Sequence, residues 1–233
     1  MSSTTVAAIS GKITARVASI HIDPACNTFL NDCFRQFGIT VVPVEGDPIL
    51  LLNHHKFEAC VLRLYDPEAD KILKAARNSP SNRRLVVYGI ARNTQEALRY
   101  SAYGINAVLD EPLDRQSVLK VVRATHLLVI HELRRYVRIP LSSQAEFDVN
   151  GRPVIGTTVE ISSGGISIRC LAPLPKSDAI RLTLTLPGVE KLNVRAFVCW
   201  YRESDKIYGM RFDATDERRL KVRGWIDQYL EIV

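Results

Sequence analysis

The first half of the chain alternates short apolar runs with amphipathic segments of helical period. The apolar runs are predicted strands, at Arg16–Ile22, Ile39–Val44, Phe57–Leu64, Leu85–Tyr88 and Ala107–Leu109. The amphipathic segments are predicted helices, at Pro24–Phe37, Pro67–Asn78, Thr94–Tyr103 and a longer one that begins at Leu113. Strands and helices that alternate at this spacing predict an α/β domain with a doubly wound parallel sheet.

The second half changes to closely spaced strands that are separated by turn residues. The predicted strands are Gln144–Val149, Val154–Ile161, Ile166–Cys170, Ile180–Leu186, Val194–Tyr201 and Tyr208–Phe212. The turns between them contain pairs such as Gly164-Gly165 and Pro187-Gly188. Six short strands at this spacing predict an antiparallel β-barrel, and Asp216–Glu231 is a predicted helix that closes it.

The segment from Asp114 to Leu133 is helical by pattern and lacks the composition of a flexible linker. We therefore expect one continuous helix to leave the first domain and reach the edge of the second. The predicted organisation is a flexible N-terminal tail (1–14), an α/β domain that ends in this connecting helix (15–132), and the barrel (133–233).

The 233 residues carry a net charge of +6, from 31 basic and 25 acidic side chains. This excess suits an anionic partner, but no helix pairs a dense basic face with base-reading side chains, so we expect no DNA binding. No apolar run reaches membrane-spanning length, and no secretory signal precedes the first strand. We therefore expect a cytoplasmic protein without membrane insertion.

The five cysteines are odd in number and widely scattered, and no pair has metal-ligand spacing. We expect buried, reduced thiols. His54 and His55 lie in a predicted loop, where solvated histidines are a simpler interpretation than a metal site. The sequence therefore predicts no metal and no cofactor.

Two polar motifs lie at the start of the barrel. Arg134-Arg135-Tyr136-Val137-Arg138 places guanidinium groups on a short, mobile segment, where they can bind guanine O6 and N7, stack on a purine or contact phosphate. Glu160-Ile161-Ser162-Ser163-Gly164-Gly165 adds a carboxylate, a hydroxyl and backbone amides, and its glycines allow positive φ angles. Each motif alone is explained by a solvated helix end or by a hairpin turn. Together they indicate a pocket for a guanine nucleotide with phosphates.

The segment 133–233 resembles the PilZ domain, a bacterial receptor module for cyclic di-GMP. Arg134-x-x-x-Arg138 and Glu160-x-Ser162-x-x-Gly165 match the two motifs of that family. The resemblance, with the chemistry above, implies that the ligand-binding residues are Arg134, Arg135, Arg138, Glu160, Ser162, Gly164 and Gly165. Glu160 stands where the family has Asp or Asn, and its additional methylene displaces the acceptor oxygens.

The segment from Arg16 to Leu133 resembles the receiver domain of bacterial response regulators, in the order of its elements and in the phrases Arg16–Pro24 and Tyr103–Asp114. Phosphoryl transfer to a receiver needs magnesium held by acidic side chains, an acceptor carboxylate, a hydroxyl and a lysine. The corresponding positions carry His21 and Ile22, Leu62 or Arg63, Gly89, and Glu111. Asp23 and Asp66 alone do not rebuild this site, so we expect a pseudo-receiver without a phosphoacceptor.

These observations favour a non-enzymatic signalling receptor that binds cyclic di-GMP and changes domain orientation or partner binding. The alternative is a nucleotide-independent adaptor in which both domains are degenerate. No catalytic triad, carboxylate pair or strand-to-helix phosphate loop indicates an enzyme. The pseudo-receiver or the connecting helix would serve in homodimer formation or in docking an unknown effector protein.

Overall fold

The computed structural model describes residues 13–149, 151–175 and 179–230. The described residues form two compact units, with the division between Leu133 and Arg134. The predicted N-terminal tail lies outside the described residues except for Ile13 and Thr14.

The first unit has a parallel sheet of five strands in the order β2-β1-β3-β4-β5. The strands are β1 (Ala15–Ile20), β2 (Ile39–Pro43), β3 (Ala59–Arg63), β4 (Val86–Ala91) and β5 (Ala107–Asp110). The helices are α1 (Pro24–Phe34), α2 (Pro48–His54), α3 (Ala69–Asn78), α4 (Thr94–Arg99) and α5 (Arg115–Tyr136). This strand order is that of the flavodoxin-like doubly wound fold, and it confirms the predicted α/β domain.

The sheet is buried because its two central strands are almost wholly apolar. β3 and β4 are buried along nearly their full length, as expected for parallel strands covered by helices on both faces. Tyr88 of β4 donates or accepts a buried hydrogen bond with Thr125 of α5 at 2.7 Å, and burial raises the pKa of Tyr88 to about 12. This contact fixes the last helix of the unit on the sheet.

Helix α2 was not expected, and the prediction that His54 lies in a loop is wrong. Asp47 accepts hydrogen bonds from the amides of Ile49 and Leu50, and Pro48 occupies the first helical position. The helix has only seven residues, too few for a clear apolar period, so only this Asp-Pro start signal could have revealed it. His54 is its last residue.

The second unit is a closed antiparallel barrel of six strands, in the order β9-β8-β7-β10-β11-β12-β9. Its strands are β7 (Gln144–Val149), β8 (Arg152–Ser162), β9 (Gly165–Arg169), β10 (Ile180–Leu184), β11 (Leu192–Arg202) and β12 (Ile207–Phe212). A short strand, β6 (Ile139–Pro140), pairs with β8 beside the barrel. The predicted barrel is therefore confirmed.

Helix α6 (Arg219–Tyr229) follows the barrel. Its Trp225 packs beside Tyr229 and donates a hydrogen bond of 2.9 Å from Nε1 to the carbonyl of Pro187. The helix begins three residues later than expected from Asp216, whose side chain instead organises the preceding turn. The predicted end at Glu231 lies outside the described residues.

Candidate functional site

The barrel unit has a cavity of about 380 Å³, which we call the barrel cavity. This volume lies within the range of small-molecule sites. Its polar lining includes Arg135, Arg138, Arg211, Glu160 and the hairpin Ser162–Gly165. Trp200, Gly209 and Met210 also line it. The cavity thus joins cations, one carboxylate, hydroxyl groups and an aromatic face.

Glu160 reaches the cavity because strand β8 contains a β-bulge. The pairing with β9 passes from Thr158 opposite Ile168 to Glu160 opposite Ser167, so Val159 is an additional residue. Thr158 and Ile161 are both buried, although an uninterrupted strand would point them to opposite faces. The bulge therefore turns Glu160 away from the barrel core.

Glu160 already has two polar neighbours. Its Oε1 atom lies 3.7 Å from Nε of Arg138 and accepts a hydrogen bond of 3.3 Å from Oγ of Ser167. The side chains of Arg138 and Glu160 are 54% and 38% exposed. Such a long, exposed ion pair contributes little to stability, so an incoming polar ligand can replace it at small cost.

The hairpin from Ser162 to Gly165 is held by its own hydrogen bonds. Oγ of Ser162 donates to the carbonyl of Gly165 at 3.1 Å, and the carbonyl of Gly164 accepts from the amide of Phe212 at 2.9 Å. Neither Gly164 nor Gly165 adopts the positive φ angle that glycine permits. Gly165 is needed for another reason, since a Cβ atom there would overlap the carbonyl oxygen of Met210 on β12.

Arg134 points away from the barrel cavity. Its Nε atom lies 2.7 Å from Oδ1 of Asp227 on α6, a close ion pair that lacks the alignment of a hydrogen bond. The two side chains are only 21% and 19% exposed. The carbonyl of Arg134 accepts a hydrogen bond of 3.3 Å from Oγ of Ser163, which ties the end of α5 to the hairpin.

The structure therefore brings six of the seven predicted binding residues to one cavity, and Arg134 is the exception. Arg134 and Arg135 belong to the last turn of α5 and not to a flexible segment. Arg138 lies beyond the helix, where its Nη1 atom donates to the carbonyl of Tyr136 at 3.0 Å.

Trp200 and Arg211 line the cavity but were not predicted as binding residues. A second β-bulge, at Cys199 on β11, places Trp200 opposite Gly209. A Cβ atom at Gly209 would overlap the indole ring, so the glycine lets the ring lie directly on β12. Trp200 remains 47% exposed and offers a ring face to a ligand. The sequence places Trp200 and Gly209 on neighbouring predicted strands, but the bulge that pairs them and exposes the ring is seen only in the folded barrel.

The first unit has a cluster of charged residues at the carboxyl ends of its strands. Nη2 of Arg63 lies 2.7 Å from Oδ2 of Asp23, and its Nε atom lies 3.4 Å from Oε1 of Glu111. Hydrogen bonding to Arg63, followed by that to the amide of Cys26, holds the pKa of Asp23 below its usual value. Tyr65 donates its hydroxyl to Glu111 at 2.8 Å. The guanidinium of Arg63 therefore lies between the carboxylates of Asp23 and Glu111.

Among the described residues, no three His, Cys, Asp or Glu side chains are grouped closely enough to hold a metal ion. In the same part of the chain, every helix is too short or too polar to cross a membrane.

Several solved structures are similar to the N-terminal half. The receiver domain of a sensor histidine kinase from Pseudomonas aeruginosa, with magnesium in its active-site cleft, is 15% identical over 49% of this chain and 98% of its own, with a TM-score of 0.42. A chemotaxis response regulator of Vibrio cholerae is 14% identical over 48% and 98%, with a TM-score of 0.43. A signal receiver domain from Clostridium thermocellum is 14% identical over 49% and 98%, with a TM-score of 0.44.

No curated protein matches the chain. The model of the PilZ domain matches residues 132–230, a range that contains the whole barrel, both motifs and all of α6. Residues 132–230 are therefore similar to a PilZ domain, and they follow a unit with a five-stranded parallel sheet.

Proposed function

We propose that this protein is a non-enzymatic signalling receptor that binds cyclic di-GMP in the barrel cavity. The observation that carries the proposal is the convergence of Arg135, Arg138, Glu160 and the Ser162–Gly165 hairpin on one cavity within a PilZ domain. The two motifs are separated along the chain, and they meet where a nucleotide with phosphates could be contacted from both sides.

The lining residues have chemical roles that suit a guanine nucleotide. The guanidinium of Arg138 can form two hydrogen bonds to guanine O6 and N7 or stack on the base. The carboxylate of Glu160 can accept hydrogen bonds from guanine N1–H and N2–H. Trp200 offers a face on which a second base can stack. The amides of the hairpin are suited to a phosphate oxygen.

Binding in this way exchanges contacts within the protein for contacts with the ligand. Arg138 and Glu160 lie close to each other and would each turn to the nucleotide. Because a ligand shifts a conformational equilibrium only through different affinities for two states, we propose that the bound state differs at the Arg134–Arg138 segment. This change would alter partner binding or domain orientation.

Isothermal titration calorimetry of the full chain with cyclic di-GMP at moderate salt tests the proposal. We expect saturable binding by the wild type and a loss of about tenfold or more in Arg138→Ala, because charge-assisted hydrogen bonds contribute about 1.5–3 kcal/mol each. Glu160→Asp restores the residue type that the family motif favours and should retain binding. Absence of both heat and a thermal shift at high ligand concentration would contradict the proposal.

A partner-capture experiment with and without cyclic di-GMP distinguishes the receptor from an adaptor. A receptor should retain its partner in a nucleotide-dependent manner, and Arg138→Ala should abolish the difference. Equal capture under both conditions would favour the nucleotide-independent adaptor.

A further inference from the structure

Arg211 is a cation of the barrel cavity that belongs to neither of the two sequence motifs. It lies on β12, between Phe197 of β11 and Gly165 of β9 in the strand register. Its guanidinium carbon lies 4.8 Å from the centroid of the Phe197 ring, which is a cation–π contact. The side chain is therefore oriented by the barrel wall, and no ligand is needed to order it.

The surroundings of Arg211 leave its charge available. No carboxylate of the described residues lies within ion-pair distance of Arg211, whereas Arg138 is next to Glu160. Gly165, the cross-strand neighbour, has no side chain, so the backbone of β9 lies close against the Cα atom of Arg211 and both residues line the cavity. Arg211 can thus reach toward the cavity without breaking an existing ion pair.

The composition of the lining favours an anionic ligand. Three arginines, Arg135, Arg138 and Arg211, line the cavity with a single carboxylate, Glu160. Cyclic di-GMP carries two phosphodiester groups, each with one negative charge, and a guanidinium is a suitable donor to either of them.

We propose that Arg211 contacts a phosphodiester of the bound nucleotide and contributes to the affinity of the site. This inference rests on the proposed cyclic di-GMP site. Arg135 and Arg138 come from the end of α5 and the residues after it, whereas Arg211 comes from a strand. A guanidinium held on a strand is preorganised, so it loses little freedom when it binds phosphate.

Titrations of cyclic di-GMP into the full-length variants Arg211→Gln and Arg211→Lys, at several salt concentrations, test this role. We expect Arg211→Gln to raise the Kd by about tenfold or more and to weaken the dependence of the Kd on salt, because one charge contact is lost. Arg211→Lys should retain most of the salt dependence, because the charge remains, while its affinity is intermediate.

The matched control is Arg169→Gln. Arg169 is also an exposed arginine on a barrel strand without an ion pair among the described residues, but it does not line the cavity. Its substitution should change the Kd by less than about twofold. All three variants should unfold at the wild-type temperature without ligand, since both arginines are exposed.

The outcomes separate this inference from the proposed function. Wild-type binding with equal Kd and equal salt dependence in Arg211→Gln and Arg169→Gln would overturn the role of Arg211 and leave the cyclic di-GMP site intact. Loss of the salt dependence in Arg211→Lys would also overturn it. Absence of binding by the wild type itself would overturn both.

Discussion

Asp216 shows how a single carboxylate organises the turn before α6. It accepts hydrogen bonds from the amide of Arg195 at 2.8 Å and from the amide, Nε and Nη2 of Arg218 at 3.1, 2.8 and 2.9 Å. These bonds favour the charged form, and the side-chain contact with Arg218 is the largest cause of a pKa of about 2 for Asp216. The side chain is only 4% exposed. Asp216 therefore joins β11 to the start of the closing helix.

Substitution Asp216→Asn should lower the free energy of unfolding by about 1–2 kcal/mol at neutral pH, after discounting for the half-exposed Arg218. The folded-state pKa lies below the ordinary value of 3.8. The stabilisation is therefore present above about pH 4 and is lost as the pH falls from 3.8 toward 2. Urea unfolding between pH 2 and pH 7 should show wild type and variant converging at the acidic end.

The control for this prediction is Asp205→Asn. Asp205 pairs with Arg202 at 2.6 Å, but both side chains are largely exposed, so we expect a change below about 0.5 kcal/mol. If the difference in free energy of unfolding between wild type and Asp216→Asn stays constant down to pH 2, the stabilisation does not come from the ionised carboxylate. A purely steric effect of the substitution would not depend on pH.

Local sequence patterns predicted part of the candidate site, whereas the remaining lining residues come from strands that are distant in sequence. The barrel and the hairpin motif could be predicted because alternation and turn residues are local signals. Arg211 and Trp200 lie on strands that reach the motif only when the barrel closes through β9, and two bulges set the faces of Glu160 and Trp200. The orientation of Arg134 depends on Asp227, on a helix at the far end of the chain.

The two glycines of the hairpin should respond differently to alanine. A Cβ atom at Gly164 meets nothing within 4 Å, whereas one at Gly165 would overlap the Met210 carbonyl. We expect Gly165→Ala to destabilise the barrel by about 1–3 kcal/mol and Gly164→Ala to stay within about 0.5 kcal/mol of wild type. Thermal unfolding without ligand measures both, and equal melting temperatures would show that β9 and β12 can separate without cost.

The charged clusters of the two units differ in their balance of arginines and carboxylates. In the first unit, Arg63 lies between Asp23 and Glu111, so its guanidinium offsets the charge of these two carboxylates. In the barrel cavity, arginines outnumber carboxylates. An anionic signal is therefore expected to act on the barrel, while in the first unit the carboxylates of Asp23 and Glu111 are already bound to Arg63.

The full chain should accordingly take no phosphoryl group from acetyl phosphate in the presence of magnesium. Asp23 is bound to Arg63 and Asp66 to His21, at 2.7 and 2.9 Å, and metal coordination would have to displace both contacts. Intact-protein mass spectrometry measures the reaction, with a receiver that has the complete acidic site as a positive control. The variant Asp23→Asn, like wild type, should show no added mass of a phosphoryl group. An acid-labile phosphate on Asp23 or Asp66 would show that the cluster can open, and the first unit would then be a second input for signalling.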